Sequence, residues 1–275
     1  MTALNMTPAQ HLAEVQASLA GGQDARLVEV LGAAVRHLHA FVEEVGLTRE
    51  EWLAGVQFLT AVGQRCDDLR QEFILLSDTL GVSMLVEMVA QAQLDGATEP
   101  TVLGPFHVPG APRRANGSSI VDSELGGEPL LVHGAVRTLR GEPIGGATLD
   151  VWQTAPNGLY DVQDEANQAP MNLRGVFSTT DDGRYDFRTV RPVDYQVPKD
   201  GPVGRLLAAA GREAWRPAHV HFVVAAPGYK TLTTHAFDAG SAHLDSDAVF
   251  GVRSSLVVDM GGGEATFDVV LEPGP

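Results

Sequence analysis

The sequence contains a single cysteine, Cys66, among its 275 residues. One thiol excludes an intrachain disulfide and a thiolate metal cluster, and no nucleophile motif surrounds Cys66, so we interpret it as a small core residue. Any metal site must therefore use histidine, tyrosine or carboxylate ligands.

Long apolar runs and basic runs are also absent. No stretch approaches the roughly 18 apolar residues that a membrane helix needs, and the first five residues lack the basic and apolar regions of a signal peptide. We therefore expect a cytoplasmic protein without a membrane span. The 35 acidic residues outnumber the 19 basic ones, giving a net charge of −16. This balance argues against binding to the phosphate backbone of nucleic acid.

The chain changes character near residue 100. Before that point, Thr7-Pro8 and the capping box Thr48–Glu51 are typical helix starts, and apolar residues recur at three- and four-residue steps over 27–38 and 69–92. These patterns predict about four helices. Because so few helices make a thin layer, we expect an apolar face to pack on the following domain or on a second subunit.

After a Pro- and Gly-rich segment over residues 98–120, short alternating runs are separated by turn residues. Such a pattern predicts an antiparallel β-sandwich. The predicted fold class is α+β, with a helical region over 1–98 and a β-sandwich domain over 99–275. The predicted strands are Leu130–Val136, Thr148–Trp152, Tyr185–Val190, His219–Val224, Leu232–Phe237, Ser255–Val258 and Thr266–Leu271.

Two histidines, His219 and His221, lie two positions apart on a predicted strand and should point to the same side of the sheet. This spacing is common among metal ligands. One possible set of partners is His235 and Asp238, which would complete a ferrous or zinc site. The other set is two tyrosines in turn-rich segments, Tyr160 and Tyr195. Spacing alone does not decide between these sets or exclude purely structural histidines.

Several longer motifs resemble the intradiol ring-cleaving dioxygenases over roughly residues 70–260. They are LGPF at 103–106, DVWQTAPNGLYDVQ at 150–163, LRGVFSTTDDGRYDFRTVRPVDYQVPKDGP at 173–202, RPAHVHF at 216–222 and GYKTLTTHAF at 228–237. Three further motifs resemble the hydroxyquinol 1,2-dioxygenase branch more than the catechol branch: LSDTLGVSMLVE at 76–87, YDVQ at 160–163 and LDSDAVFG at 244–251.

The resemblance implies one non-haem Fe³⁺ per subunit, with Tyr160, Tyr195, His219 and His221 as ligands. Phenolate oxygens suit this hard cation, and two of them offset much of its charge in a buried site. The family pattern makes Tyr195 the ligand that leaves the metal and accepts a substrate proton. Arg216 is expected to stabilise negative charge on the substrate ring.

The substrates implied are dioxygen and a small aromatic diol or triol. Asp78 lies in an otherwise apolar helix and needs a hydrogen-bond partner, which a third substrate hydroxyl would supply. We therefore expect hydroxyquinol (benzene-1,2,4-triol) to be preferred over catechol or substituted catechols, with 3-hydroxy-cis,cis-muconate or maleylacetate as product. The residues expected to border the ring are Leu75, Asp78, Val102, Pro105, Phe106, Ala248 and Val249.

The helical region resembles the dimerisation region of the same family, which implies a homodimer with a phospholipid-like amphiphile between the helices. A different interpretation stays open at this point. A non-catalytic β-sandwich that binds small ligands would also contain buried histidines.

Overall fold

The computed structural model describes residues 6–68, 70–90 and 95–274. Both predicted helix starts are confirmed. Thr7 caps the helix that begins at Pro8 and forms a capping box with Gln10. At the second start, the Glu51 carboxylate accepts from the Thr48 amide at 2.9 Å. The helices are α1 (Pro8–Leu19), α2 (Ala25–Val45), α3 (Arg49–Gln64), α4 (Glu72–Thr79), α5 (Val82–Ala90) and α6 (Pro202–Ala209).

The chain divides into two compact units, Met1–Thr60 and Ala61–Pro275. In the first unit, α1 and α2 contain no buried residue among those described. The apolar side chains of α2, such as Leu38 and Phe41, are largely exposed. The unit therefore presents an apolar helix surface.

In the second unit, the helix predicted over 69–92 is two helices. The break falls at Leu80 and Gly81, where Gly81 adopts a positive φ of 74° that favours glycine. Residues 69 and 91–94 lie outside the described residues. Within the described ranges no single helix is long and apolar enough to cross a membrane, although the bent pair α4 and α5 meets the length and composition test together. Cys66 is half-buried, and its thiol donates to the Val62 carbonyl at 3.4 Å.

Eleven strands occur in the described residues, and the predicted strand Thr148–Trp152 is reproduced residue for residue. The sequence patterns missed the strands Arg174–Ser178, Tyr195–Gln196 and Trp215–Arg216. The strands are β1 (Pro129–Thr138), β2 (Thr148–Trp152), β3 (Arg174–Ser178), β4 (Arg184–Val190), β5 (Tyr195–Gln196), β6 (Trp215–Arg216), β7 (His219–Ala225), β8 (Leu232–Asp238), β9 (Val257–Val258), β10 (Glu264–Thr266) and β11 (Val269–Leu271).

Two sheets share one apolar core. One sheet has the order β3-β2-β7-β8-β9, and in the other β1 pairs with β4, β10 and β11. Core side chains come from both sheets, including Val132 and Phe187 from one and Val151 and Phe222 from the other. This arrangement confirms the α+β class with a β-sandwich.

The sheets are mixed rather than wholly antiparallel. The strand predicted over Thr266–Leu271 is interrupted, and its two parts, β10 and β11, both run parallel to β1. At the interruption the Asp268 carboxylate accepts from the Ala135 amide at 2.8 Å. Strand direction could not be predicted because parallel and antiparallel edge strands have the same side-chain period.

Candidate metal centre

The histidine pair lies on β7, between β2 and β8 in the sheet. Val220 and Phe222 alternate with the histidines and face the apolar core. His219 and His221 therefore point away from that core on the same face, as the period of two requires. Each is only 2% exposed.

Tyr160 reaches this face from a loop, and Tyr195 reaches it from a short strand. Tyr160 precedes a 3₁₀ turn (Asp161–Gln163), and its backbone amide donates to the Gln163 side-chain oxygen at 3.1 Å. Tyr195 opens β5 and pairs in register with Arg216 on β6. Both phenol rings are buried.

Four side-chain atoms from these residues meet in one place. The Tyr160 hydroxyl lies 3.1 Å from the Tyr195 hydroxyl and 2.9 Å from His221 Nε2. His221 Nε2 lies 3.1 Å from His219 Nε2. The structure thus brings together all four residues predicted as metal ligands.

Neighbouring groups fix the orientation of these rings. His219 Nδ1 donates to the Pro217 carbonyl at 2.6 Å, so the lone pair of the neutral ring is on Nε2. Trp152 stacks on His221 with ring centroids 4.5 Å apart. Phe106 stacks on Tyr160 at 4.7 Å. Three of the four donors are therefore held by contacts with neighbouring groups.

The donor set is that of a hard cation site. Burial lowers the pKa values of His219 and His221 well below the usual range, which keeps both imidazoles neutral and able to bind a metal. Burial and the neighbouring Tyr195 raise the pKa of the Tyr160 phenol well above its usual value. Only a strong positive charge at the centre would ionise such a phenol at neutral pH. The residues present therefore fit a ferric ion.

A third imidazole, His235, completes a cluster in which one ligand atom from each of the three histidines lies within 4.8 Å of the others. Its Nδ1 is hydrogen-bonded to the Thr101 hydroxyl, and its Nε2 has no partner among the described residues. The alternative ligand Asp238 is engaged elsewhere, accepting from Arg191 at 2.6 Å and from the Gly240 amide at 2.8 Å. The ferrous or zinc set is thus only partly assembled.

Arg216 lies beside the four donors and is 3% exposed. Its Nη1 approaches the Tyr195 hydroxyl at 3.4 Å, and its Nη2 has no partner among the residues described. Sequence reasoning missed its counterion, Asp247, whose carboxylate accepts from Arg216 Nε at 3.1 Å. Burial disfavours the charge of Arg216, but Asp247 and the two phenols outweigh that effect and raise its pKa.

Asp78 is 2% exposed, and its Oδ1 has no hydrogen-bond partner in the described part of the chain. Burial raises the pKa of Asp78, while a hydrogen bond from Ser83 and the positive charge of Arg216 oppose the rise. Among the other predicted wall residues, Phe106 contacts Tyr160 and the rest stay predictions. Leu75, Val102, Ala248 and Val249 are buried, and Pro105 is half-buried.

The chain is similar to known proteins over most of its length. Residues 102–273 match the family described as "Dioxygenase", and residues 24–98 match the family "Catechol dioxygenase N terminus". The 6-chlorohydroxyquinol 1,2-dioxygenase of Cupriavidus pinatubonensis is 50% identical over 264 residues, covering 94% of this chain and 95% of the relative. The hydroxyquinol 1,2-dioxygenase of Rhizobium sp. is 50% identical over 237 residues, covering 86% and 80%.

A solved structure is similar over nearly the whole length. The hydroxyquinol 1,2-dioxygenase of Pseudomonas putida superimposes with a TM-score of 0.88 at 46% identity, covering 97% of this chain and 99% of that one. The likeness therefore includes the helical unit as well as the β-sandwich.

Proposed function

This chain belongs to the intradiol ring-cleavage dioxygenases, and on that premise we propose that it cleaves hydroxyquinol with dioxygen. The product is 3-hydroxy-cis,cis-muconate, the enol form of maleylacetate. The observation that supports hydroxyquinol as the substrate is the buried carboxylate of Asp78. Its Oδ1 has no hydrogen-bond partner among the described residues and lies in the neighbourhood of Arg216. The third ring hydroxyl would donate to this oxygen, and catechol, which lacks that hydroxyl, would leave it unpaired.

One ferric ion per subunit is the proposed cofactor, held by Tyr160, Tyr195, His219 and His221. When bound, the ion would act as a Lewis acid that holds the two adjacent ring oxygens as anions and makes the ring electron-rich toward dioxygen. The buried position of the four side chains supports this proposal.

The side chains of the site have distinct proposed roles. With iron bound, the Tyr195 phenolate oxygen would accept one of the two substrate protons, and a solvent-derived hydroxide would take the other. The Tyr195 oxygen lies 3.4 Å from Arg216 Nη1, which places a fixed positive charge next to the first transfer. Arg216 Nη2 is free to donate to the anionic ring. Phe106 and Trp152 pack against the metal-binding rings and exclude water.

We further propose a homodimer that uses the exposed apolar surface of the first unit and that encloses a phospholipid-like amphiphile there. Large exposed apolar surfaces are typical of interaction sites. The exposed side chains are Leu27, Val30, Leu31, Leu38, Phe41, Val42, Val45, Trp52, Leu53, Val56 and Leu59. A molar mass equal to that of one chain, measured by light scattering at micromolar concentration, would contradict the dimer.

A cytoplasmic location stays a prediction from the sequence.

The first test is an absorption spectrum of the iron-loaded protein. Charge transfer from phenolate to ferric iron gives a red to burgundy colour, and anaerobic addition of hydroxyquinol should change the band. A colourless protein with stoichiometric iron would contradict the ligand set. A non-catalytic binding protein would show neither the colour nor ring cleavage.

The second test compares substrates. The wild type should cleave hydroxyquinol with a higher kcat/KM than catechol, and Asp78→Ala should reduce that preference by about tenfold or more. Asp68→Ala is the control, because Asp68 is an exposed aspartate on the segment before α4. This variant should keep the preference for hydroxyquinol. Unchanged discrimination in Asp78→Ala would remove Asp78 from the proposal. Because a relative is named for 6-chlorohydroxyquinol, that compound is the second triol to assay.

A further inference from the structure

Arg212 joins two segments of the second unit that carry residues predicted to border the substrate. The residue follows α6, and its backbone amide donates to the Leu207 carbonyl at 2.9 Å. Gly211 before it has a φ of 66°, which ends the helix and turns the chain. The half-buried side chain therefore starts from a fixed point in the fold.

One end of the Arg212 guanidinium caps α4. Its Nη1 donates to the carbonyl of Thr79. Thr79 is the last residue of that helix and directly follows Asp78. A cation at a helix C-terminus is stabilising because the free carbonyls there carry partial negative charge. Glu72 ties the other end of α4 to α6 by accepting from the Val203 amide at 3.1 Å. Helix α4 is thus held at both ends.

The other end of the guanidinium holds the turn over residues 247–251. Nη2 donates to the Ala248 carbonyl at 2.9 Å, and the Phe250 ring lies under the guanidinium at 4.8 Å. Phe250 has a φ of 60°, which is unfavourable for a residue with a large side chain. The turn needs external bonds to persist, and Arg212 supplies one of them.

We propose that Arg212 is a positioning residue that sets the substrate preference of this enzyme. By binding the Thr79 and Ala248 carbonyls together, it fixes the separation between Asp78 on one wall and Ala248 and Val249 on the other. A planar guanidinium with several donors holds two carbonyls at once, which a single ammonium group does not do equally well. This inference rests on the proposed function, since it assigns the third-hydroxyl site to the space between these walls.

The test uses Arg212→Met, which keeps an apolar stem but removes the charge and both donors. The kcat/KM ratio of hydroxyquinol to catechol should fall at least about tenfold, while kcat for catechol stays within about twofold. Arg212→Lys keeps the charge but offers one donor nitrogen in place of two, so it should retain part of the preference. Arg205→Met is the matched control, because Arg205 is exposed on α6 and its side chain has no hydrogen bond or ion pair among the described residues.

Anaerobic titration of both ring compounds, followed by the visible band, gives dissociation constants that do not depend on turnover. The hydroxyquinol constant should rise about tenfold in Arg212→Met and the catechol constant should change little. The proposal for Arg212 would be overturned if Arg212→Met and Arg212→Lys each lost equal affinity for both compounds. It would also be overturned if either variant kept the full preference for hydroxyquinol over catechol. A wild type that binds or cleaves neither compound would instead overturn the proposed function and this inference with it.

Discussion

The loop that carries Tyr160 depends on a buried ion pair between Asp161 and Arg174. Asp161 Oδ1 accepts from Arg174 Nε at 2.8 Å and from Nη2 at 2.6 Å, and Oδ2 accepts from the Met171 amide at 2.9 Å. The two side chains are 4% and 2% exposed. Met171 and Leu173 have φ values of 63° and 58°, so the carboxylate also holds a strained segment.

Removing one partner leaves the other charge buried without compensation. Asp161→Ala should therefore lower the free energy of unfolding by about 3–5 kcal/mol. At roughly 2–4 °C for each kcal/mol in a chain of this size, Tm should fall by about 6–20 °C. Arg174→Met should cost a similar amount, and the double variant should cost at least about 1 kcal/mol less than the sum of the two.

Urea unfolding and calorimetry of the four proteins measure these quantities. Arg184→Ala is the control, because its ion pair with Asp182 is mostly exposed and should contribute almost nothing to the free energy of unfolding. A loss below about 1 kcal/mol in Asp161→Ala, or additive losses in the double variant, would show that the pair does not act as described.

Three further outcomes are expected. Glu72→Ala should lower the free energy of unfolding, measured in urea, by about 2–4 kcal/mol. The reason is that Glu72 is fully buried and binds both Arg70 and the Val203 amide. An unchanged midpoint of urea unfolding would contradict this. Asp247→Asn should reduce kcat/KM by about 10-fold to 100-fold, because it removes the counterion of Arg216. The visible band should change little, since the predicted ligands are untouched. Loss of the band would instead indicate a disrupted metal site. Tyr195→Phe should weaken iron binding by more than about tenfold in competition with a chelator, whereas Tyr229→Phe should not; equal iron affinities would remove Tyr195 from the ligand set.

Part of this site could be predicted from local patterns. The period of two in His219-Val220-His221 placed both imidazoles on one face, and the structure confirms this because β7 is a regular strand. The tyrosines have no such local signal, since Tyr160 lies in a loop and the two-residue strand of Tyr195 is too short to show a period. Their selection depended on the longer motifs that resemble the family.

Other features depend on contacts between distant residues. Arg212 is 133 positions from Thr79, and Glu72 is 131 positions from Val203. No short motif encodes a side chain that binds a backbone carbonyl or amide so far along the chain. Asp247 is different, because it lies within the motif LDSDAVFG at 244–251. A buried arginine such as Arg216 needs a counterion, and that requirement could have identified Asp247.

The elements that carry the proposed ligands differ in how firmly they are held, and the difference matches the roles proposed for them. His219 and His221 lie on a seven-residue strand between two neighbours. Tyr160 is held by the hydrogen bond that its backbone amide donates to the Gln163 side chain and by the Phe106 ring. Tyr195, by contrast, lies on a strand of only two residues that pairs with β6 alone among the described strands. Short, weakly paired elements open at lower free energy than core strands. The short, weakly paired strand thus supports the role proposed for Tyr195, which would accept a substrate proton, while the other three side chains would hold the ion.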